Sequence, residues 1–115
     1  MRRWQRRGIF GCLLQIGEHW QANVLALQRR YEIIGDIRGR GLLQGVELAH
    51  DRRSYEPATE IAANVYRYCL ANGLMFSVRG KLMSVLRFVP PFTTTNAQLE
   101  RAAEILEAGM RMAIA

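Results

Sequence analysis

Lysine is almost absent from this chain: of its 16 basic residues, only Lys81 is a lysine. A lysine that forms a Schiff base must be desolvated or otherwise activated. Lys81 stands instead in a Gly80-Lys81 turn between two apolar runs, where an exposed, solubilising role is the natural one. Cysteine is equally sparse. Cys12 and Cys69 are far apart and neither belongs to a CxxC, which argues against a disulfide framework and leaves two buried thiols. His19 and His50 have no partners at metal-binding spacing, so no metal site is expected. No apolar run approaches the length of a membrane span. P-loop, HExxH, GxSxG and EF-hand patterns are all missing, and no side chain reads as a nucleophile beside its base.

What is present is enough apolar material for one domain. The 115 residues are half hydrophobic, sufficient for a single core and too few for two. The net charge of +6 is concentrated at the start, where Arg2, Arg3, Arg6 and Arg7 stand; without them it falls to +2. That basic segment, followed by Gly8 to Ile16, has the outline of a targeting signal. The apolar run is short, however, and Glu18 and His19 follow it without a small-residue cleavage pattern. The expectation is a soluble, cytoplasmic protein. Residues 1–12 form a basic, poorly ordered lead-in, and residues 13–115 form the domain.

Leu13, Ile16, Trp20, Val24, Leu27 and Tyr31 recur every three or four positions, which predicts an amphipathic helix. Residues 35–41 read as a glycine-rich bend, and 42–48 as a strand in which Gly45 suggests a bulge or a close approach. A second helix starts near Pro57 and stops at Asn72-Gly73, burying Ala58, Ile61, Ala62, Val65 and Cys69. Strands over 74–78 and 84–89 follow. Thr95-Asn96-Ala97-Gln98 is a capping-box pattern, and Leu99, Ala102, Leu106, Met110 and Ala113 form the stripe of a last helix. This order predicts an α+β fold, a small, largely antiparallel sheet of about three strands covered by helices.

The most informative stretch runs from Ser84 to Thr95. Arg87 stands in the middle of a β-forming apolar run that Pro90-Pro91 stops, and it shares a strand face with Val85 and Val89. A guanidinium on an apolar face is either solvated or aimed at an anion. Gly39, Gly41 and Gly45 give GxGxxxG ahead of a strand, which lacks the geometry of a dinucleotide fingerprint. Asp36 and Glu47 read as single, unpaired carboxylates on a turn and a surface. Tyr66, Tyr68, Ile105, Met112 and Ile114 add up to more apolar surface than one small domain covers, which points to a neighbouring domain or subunit.

Residues 34–48 resemble the entry into the C-terminal small domain of class-III pyridoxal-phosphate aminotransferases. Asn72-Gly73-Leu74-Met75 and Leu86-Arg87-Phe88-Val89-Pro90-Pro91-Phe92-Thr93, with the Thr-capped helix, continue the resemblance in order over roughly residues 13–113. Within that class, the 2,2-dialkylglycine decarboxylase and 4-aminobutyrate aminotransferase group is the nearest in pattern. The resemblance implies transfer of an amino group between an amino acid and a 2-oxo acid. It also implies that the lysine holding pyridoxal phosphate lies in a large domain preceding this stretch, so that this chain alone is inactive and carries no catalytic or cofactor-binding residue. Only Arg87 falls on a site position of the family, that of the arginine binding the substrate carboxylate. A different reading is a free-standing basic module, in which the first seven residues with Arg38, Arg40 and Arg79 bind an acidic partner or RNA. The sequence lacks the aromatic–glycine signatures of an RNA-binding module, which leaves nucleic acid the weaker partner.

Overall fold

The computed structural model describes residues 9–41, 43–50, 56–80, 83–90 and 94–114. Helix α1 (Ile9–Arg30) leads into strands β1 (Ile34–Arg40) and β2 (Leu43–Leu48). Helix α2 (Thr59–Ala71), strands β3 (Ser77–Arg79) and β4 (Val85–Phe88), and helix α3 (Asn96–Ile114) complete the chain. The strands form one antiparallel sheet in the order β1-β2-β4-β3. The fold is therefore α+β as expected, with four strands rather than about three.

The additional strand is the stretch that reads as a glycine-rich bend. Its alternation is hidden because the register shifts between Ile34 and Asp36, which moves the later residues out of phase with Ile34. Gly39 and Gly41 then provide the reversal into β2, with φ values of 133° and 60°. Gly45, in contrast, pairs regularly with Arg38 on one side and Arg87 on the other and forms no bulge. The helix preceding the sheet begins at Ile9, so it reaches back across the boundary drawn at residue 12.

Alternation along the strands decides which face is covered. Gln44, Val46 and Leu48 of β2 and Leu86 and Phe88 of β4 are buried, while the residues between them are half-buried or exposed. Helices α1 and α2 pack against the sheet, and α3 packs on both helices. The α1 stripe behaves as the periodicity predicts: Ile16, Trp20, Val24 and Leu27 all enter the core. From Trp20 an aromatic series runs beneath the sheet, Trp20 to Phe88 at 4.7 Å, Phe88 to Phe76 at 4.6 Å and Phe76 to Tyr66 at 5.7 Å between ring centroids.

Tyr66 and Tyr68 are thus partly buried, and Ile105 lies in the core because α3 is flanked by two helices. Met112 and Ile114 do remain exposed at the end of α3.

Local signals set the helix ends. The Thr95 amide donates to Gln98 Oε1 at 2.9 Å, and the Gln98 amide donates to Thr95 Oγ1 at 3.2 Å, a reciprocal capping box. At the end of α2, Leu74 N–H donates to Cys69 O and Gly73 N–H to Leu70 O, a Schellman motif for which Gly73 adopts φ 91°. Helix α2 begins two residues after Pro57. Pro57 joins an isolated bridge to Ala49, and Ala58 N–H donates to Leu48 O.

A buried glutamine fixes α1 to the β1–β2 hairpin. Gln44 Nε2 donates to Gly41 O at 2.8 Å, and Gln44 Oε1 accepts from Gln21 Nε2, which also donates to Gly39 O. The approach is close enough that a Cβ on Gly17 would lie 2.3 Å from Gly41 O. These contacts bring the two amides to the carbonyls of the tight reversal, which has few other ways to satisfy them.

Candidate functional site

The uncovered face of the sheet is where chemistry-bearing side chains gather. Arg87 is exposed there, as alternation along β4 requires, between the buried anchors Leu86 and Phe88. Because β4 lies inside the sheet, the Arg87 backbone is fixed from both sides, opposite Gly45 of β2 and Ser77 of β3. Paired residues on antiparallel strands present their side chains to the same face, so Arg38, Gly45, Arg87 and Ser77 form one row across four strands. Glycine on one side and a small hydroxyl on the other leave the guanidinium unobstructed. Among the described residues, no carboxylate forms an ion pair with Arg87.

Two further rows flank this one. On one side stand Asp36, Glu47, Val85 and Arg79. On the other, Leu43 pairs with Arg40, and Leu43 at 56%, Val89 at 56% and Met75 at 80% exposure are open apolar side chains. Arg87 thus sits on the border between a charged and an apolar zone.

Asp36 and Glu47 are not the lone carboxylates that the sequence suggests. Arg38 Nη2 donates to Glu47 Oε2 at 3.0 Å, and Arg38 Nε lies 3.4 Å from Asp36 Oδ2. The strand pairing creates this cluster, so it had no signature in linear spacing. It also commits Arg38, one of the arginines that a basic binding module would use. Arg79 is exposed, the side chain of Arg40 is not described, and the first eight residues and Lys81 lie outside the described residues.

Other polar groups serve the packing of helices. Glu107 accepts from Tyr31 at 2.9 Å and pairs with Arg30 at 2.8 Å, which joins the end of α1 to α3. Burial, reinforced by the Glu107 hydrogen bond and charge, raises the Tyr31 phenol above its ordinary pKa. Burial alone pushes the Cys69 thiol up to about 12, so this cysteine is an inert core group, as expected. An apolar cleft of about 540 Å3 opens near the end of β4, lined by Trp20, Leu74, Phe88, Val89 and Leu99 among others. Among the described residues, no cluster of three metal-ligating side chains occurs, and no helix is long and apolar enough to cross a membrane.

The chain's fit to pyridoxal phosphate can be judged from the same face. A Schiff-base lysine is required, and the described residues include none.

Residues 10–110 match the family model described as aminotransferase class-III. The chain belongs to the class-III aminotransferase family. It is 32% identical over 112 residues to a taurine–pyruvate aminotransferase of Rhodobacter capsulatus, an alignment covering 93% of this chain and 24% of that protein. It is also 32% identical over 91 residues to a 5-aminovalerate aminotransferase of Pseudomonas aeruginosa, covering 79% of this chain and 21% of that one. Among solved structures, a Bacillus anthracis aminotransferase superposes with a TM-score of 0.85 at 24% identity, over 95% of this chain and 25% of that chain. The chain therefore spans about a quarter of the length of the curated relatives it matches.

Proposed function

We propose that this chain, over residues 13–115, is the C-terminal small domain of a pyridoxal-phosphate-dependent transaminase and supplies the wall that recognises the substrate carboxylate. The observation that carries the proposal is Arg87: exposed, fixed on an interior strand, and free of any ion pair to a described carboxylate. A planar guanidinium in that state offers a bidentate, charge-assisted fork to a carboxylate. An amino acid and a 2-oxo acid are the substrates this chemistry suits. Bound elsewhere in the complete enzyme, the cofactor supplies the electron sink; this chain's part is to bind and orient the acid end.

The names of the relatives agree with an anionic substrate, since taurine, pyruvate and 5-aminovalerate all carry an acid group. The 5-aminovalerate enzyme favours the 4-aminobutyrate branch for this chain as well, because the two ω-amino acids differ by one methylene. The exposed Leu43, Val89 and Met75 support a large domain or a dimer partner as the chain's neighbour. A free, buried Cys69 suits a reducing compartment, and the cytoplasm is the proposed location. Alone, the chain is proposed to be inactive.

The test is Arg87→Lys in the cofactor-loaded protein that carries this chain. Lysine keeps the charge but loses the fork, so KM for the acid substrate should rise at least about tenfold, on the scale of a lost charged hydrogen bond. An unchanged KM refutes the role given to Arg87.

A further inference from the structure

Among the described residues Arg87 has no ion pair, although a carboxylate of the neighbouring strand stands within reach. Glu47 is registered opposite Val85, which places it diagonally from Arg87 on the same face. Diagonal neighbours on antiparallel strands stand about 7–8 Å apart, a span that Arg and Glu side chains together can close. Glu47 turns the other way, and its Oε2 accepts from Arg38 Nη2 at 3.0 Å. Arg38 is opposite Gly45 on the far side of β2, so two guanidiniums flank the same glycine and only the outer one holds the carboxylate. Asp36, 3.4 Å from Arg38 Nε, steadies that choice. Arg79, a further cation on this face, is separated from Glu47 by the width of β4.

We propose that Arg38 is a positioning residue: by holding Glu47 on the β1 side of Gly45, it keeps the Arg87 guanidinium free for an anionic substrate. The inference rests on the reading of Arg87 as the carboxylate-binding residue. Without the Arg38 charge, Arg87 becomes the nearest cation Glu47 can reach, and an internal carboxylate then competes with the substrate's. Competition weakens substrate binding and leaves turnover of bound substrate alone. Its size is that of a partly exposed ion pair, about threefold to fivefold in affinity.

The test uses the cofactor-loaded protein that carries this chain, with pyruvate as the probe 2-oxo acid. Arg38→Met should raise KM for pyruvate about threefold to fivefold, with the loss in KM rather than kcat. Adding Glu47→Gln to that variant should restore KM, and Arg38→Lys, which retains a cation for Glu47, should stay near the unmodified value. A crystal structure of Arg38→Met should show a Glu47 oxygen within about 4 Å of the Arg87 guanidinium. Should Arg38→Met fail to fold, Arg38→Gln is read in the same way. An unchanged KM in the folded variant, or a double variant as impaired as the single one, overturns the inference. An Arg87→Lys control separates the two claims. If it leaves KM unchanged, the reading of Arg87 has failed; if it raises KM while Arg38→Met does not, only the role of Arg38 falls.

Discussion

Two glycines of the β1–β2 hairpin should respond to alanine in opposite directions. Gly39 has φ 133°, and a Cβ there would lie 2.2 Å from Leu43 O and 2.7 Å from Gln44 Cα. Both neighbours are main chain, so the hairpin itself must open. The conformational strain of a side chain in that region is about 1–3 kcal/mol, and relieving the clash adds a comparable amount. Together they predict a loss of about 3–5 kcal/mol, at the large end of what single substitutions do. Gly45 is six residues on, and its Cβ would find only Val85 Cγ1 at 3.7 Å and Arg38 O at 3.9 Å, ordinary contacts. Alanine there should stabilise by about 0.5 kcal/mol, because glycine in a strand loses more chain entropy on folding. Urea unfolding followed by far-ultraviolet circular dichroism reads both. With a slope of about 1–3 kcal/mol per molar, Gly39→Ala should move the midpoint down by roughly 2 M, while Gly45→Ala should leave it level or slightly higher. A Gly39→Ala midpoint close to the unmodified one, or a Gly45→Ala loss as large as that of Gly39→Ala, refutes the assignment of the two roles.

Three other outcomes are expected besides those for Arg87 and Arg38. Thr95→Ala removes one half of the capping box and should cost about 0.5–2 kcal/mol in the same unfolding assay, with Thr95→Ser close to neutral. In a Cys12→Ser variant, Cys69 should resist a thiol-specific chromogenic reagent at pH 8 until urea unfolds the chain; rapid labelling of that folded variant would contradict its burial. The same thiol makes stability depend on pH. Its folded pKa is raised from 9.0 to about 12, so its contribution is complete below pH 9 and declines as pH rises from there toward 12. Cys69→Ala should flatten that decline.

What was legible in the sequence divides along the range of the interactions involved. The α1 stripe, the Thr95–Gln98 box and the Asn72-Gly73 stop are encoded within a few residues, and the structure forms them as expected. The face of Arg87 was readable too, since alternation along one strand suffices. Strand β1 was not. Its alternation is interrupted at the register shift, and its glycines read as a turn until β2 supplies partners for them. The Arg38–Glu47 pair and the burial of Ile105 depend on which strand or helix lies alongside, information that no local pattern holds. Gln44 was missed for a related reason. An amide in a strand reads as solvent-facing, and only the carbonyls of the glycine reversal and Gln21 account for its burial.

The strand order carries a consequence for how the chain folds. Strand β4 inserts between β2 and β3, so β2 gains its second partner only after α2 and β3 have been synthesised. Until residues 85–88 emerge, one side of β2 is an unpaired ladder beside Val46 and Leu48, a template for pairing with other chains. Closing that long-range pairing is the slow part of folding a mixed domain. The segment that completes the sheet is also the one that bears Arg87. A nascent chain that stalls or misfolds at this step therefore loses its protection from aggregation and the fixed placement of Arg87 together.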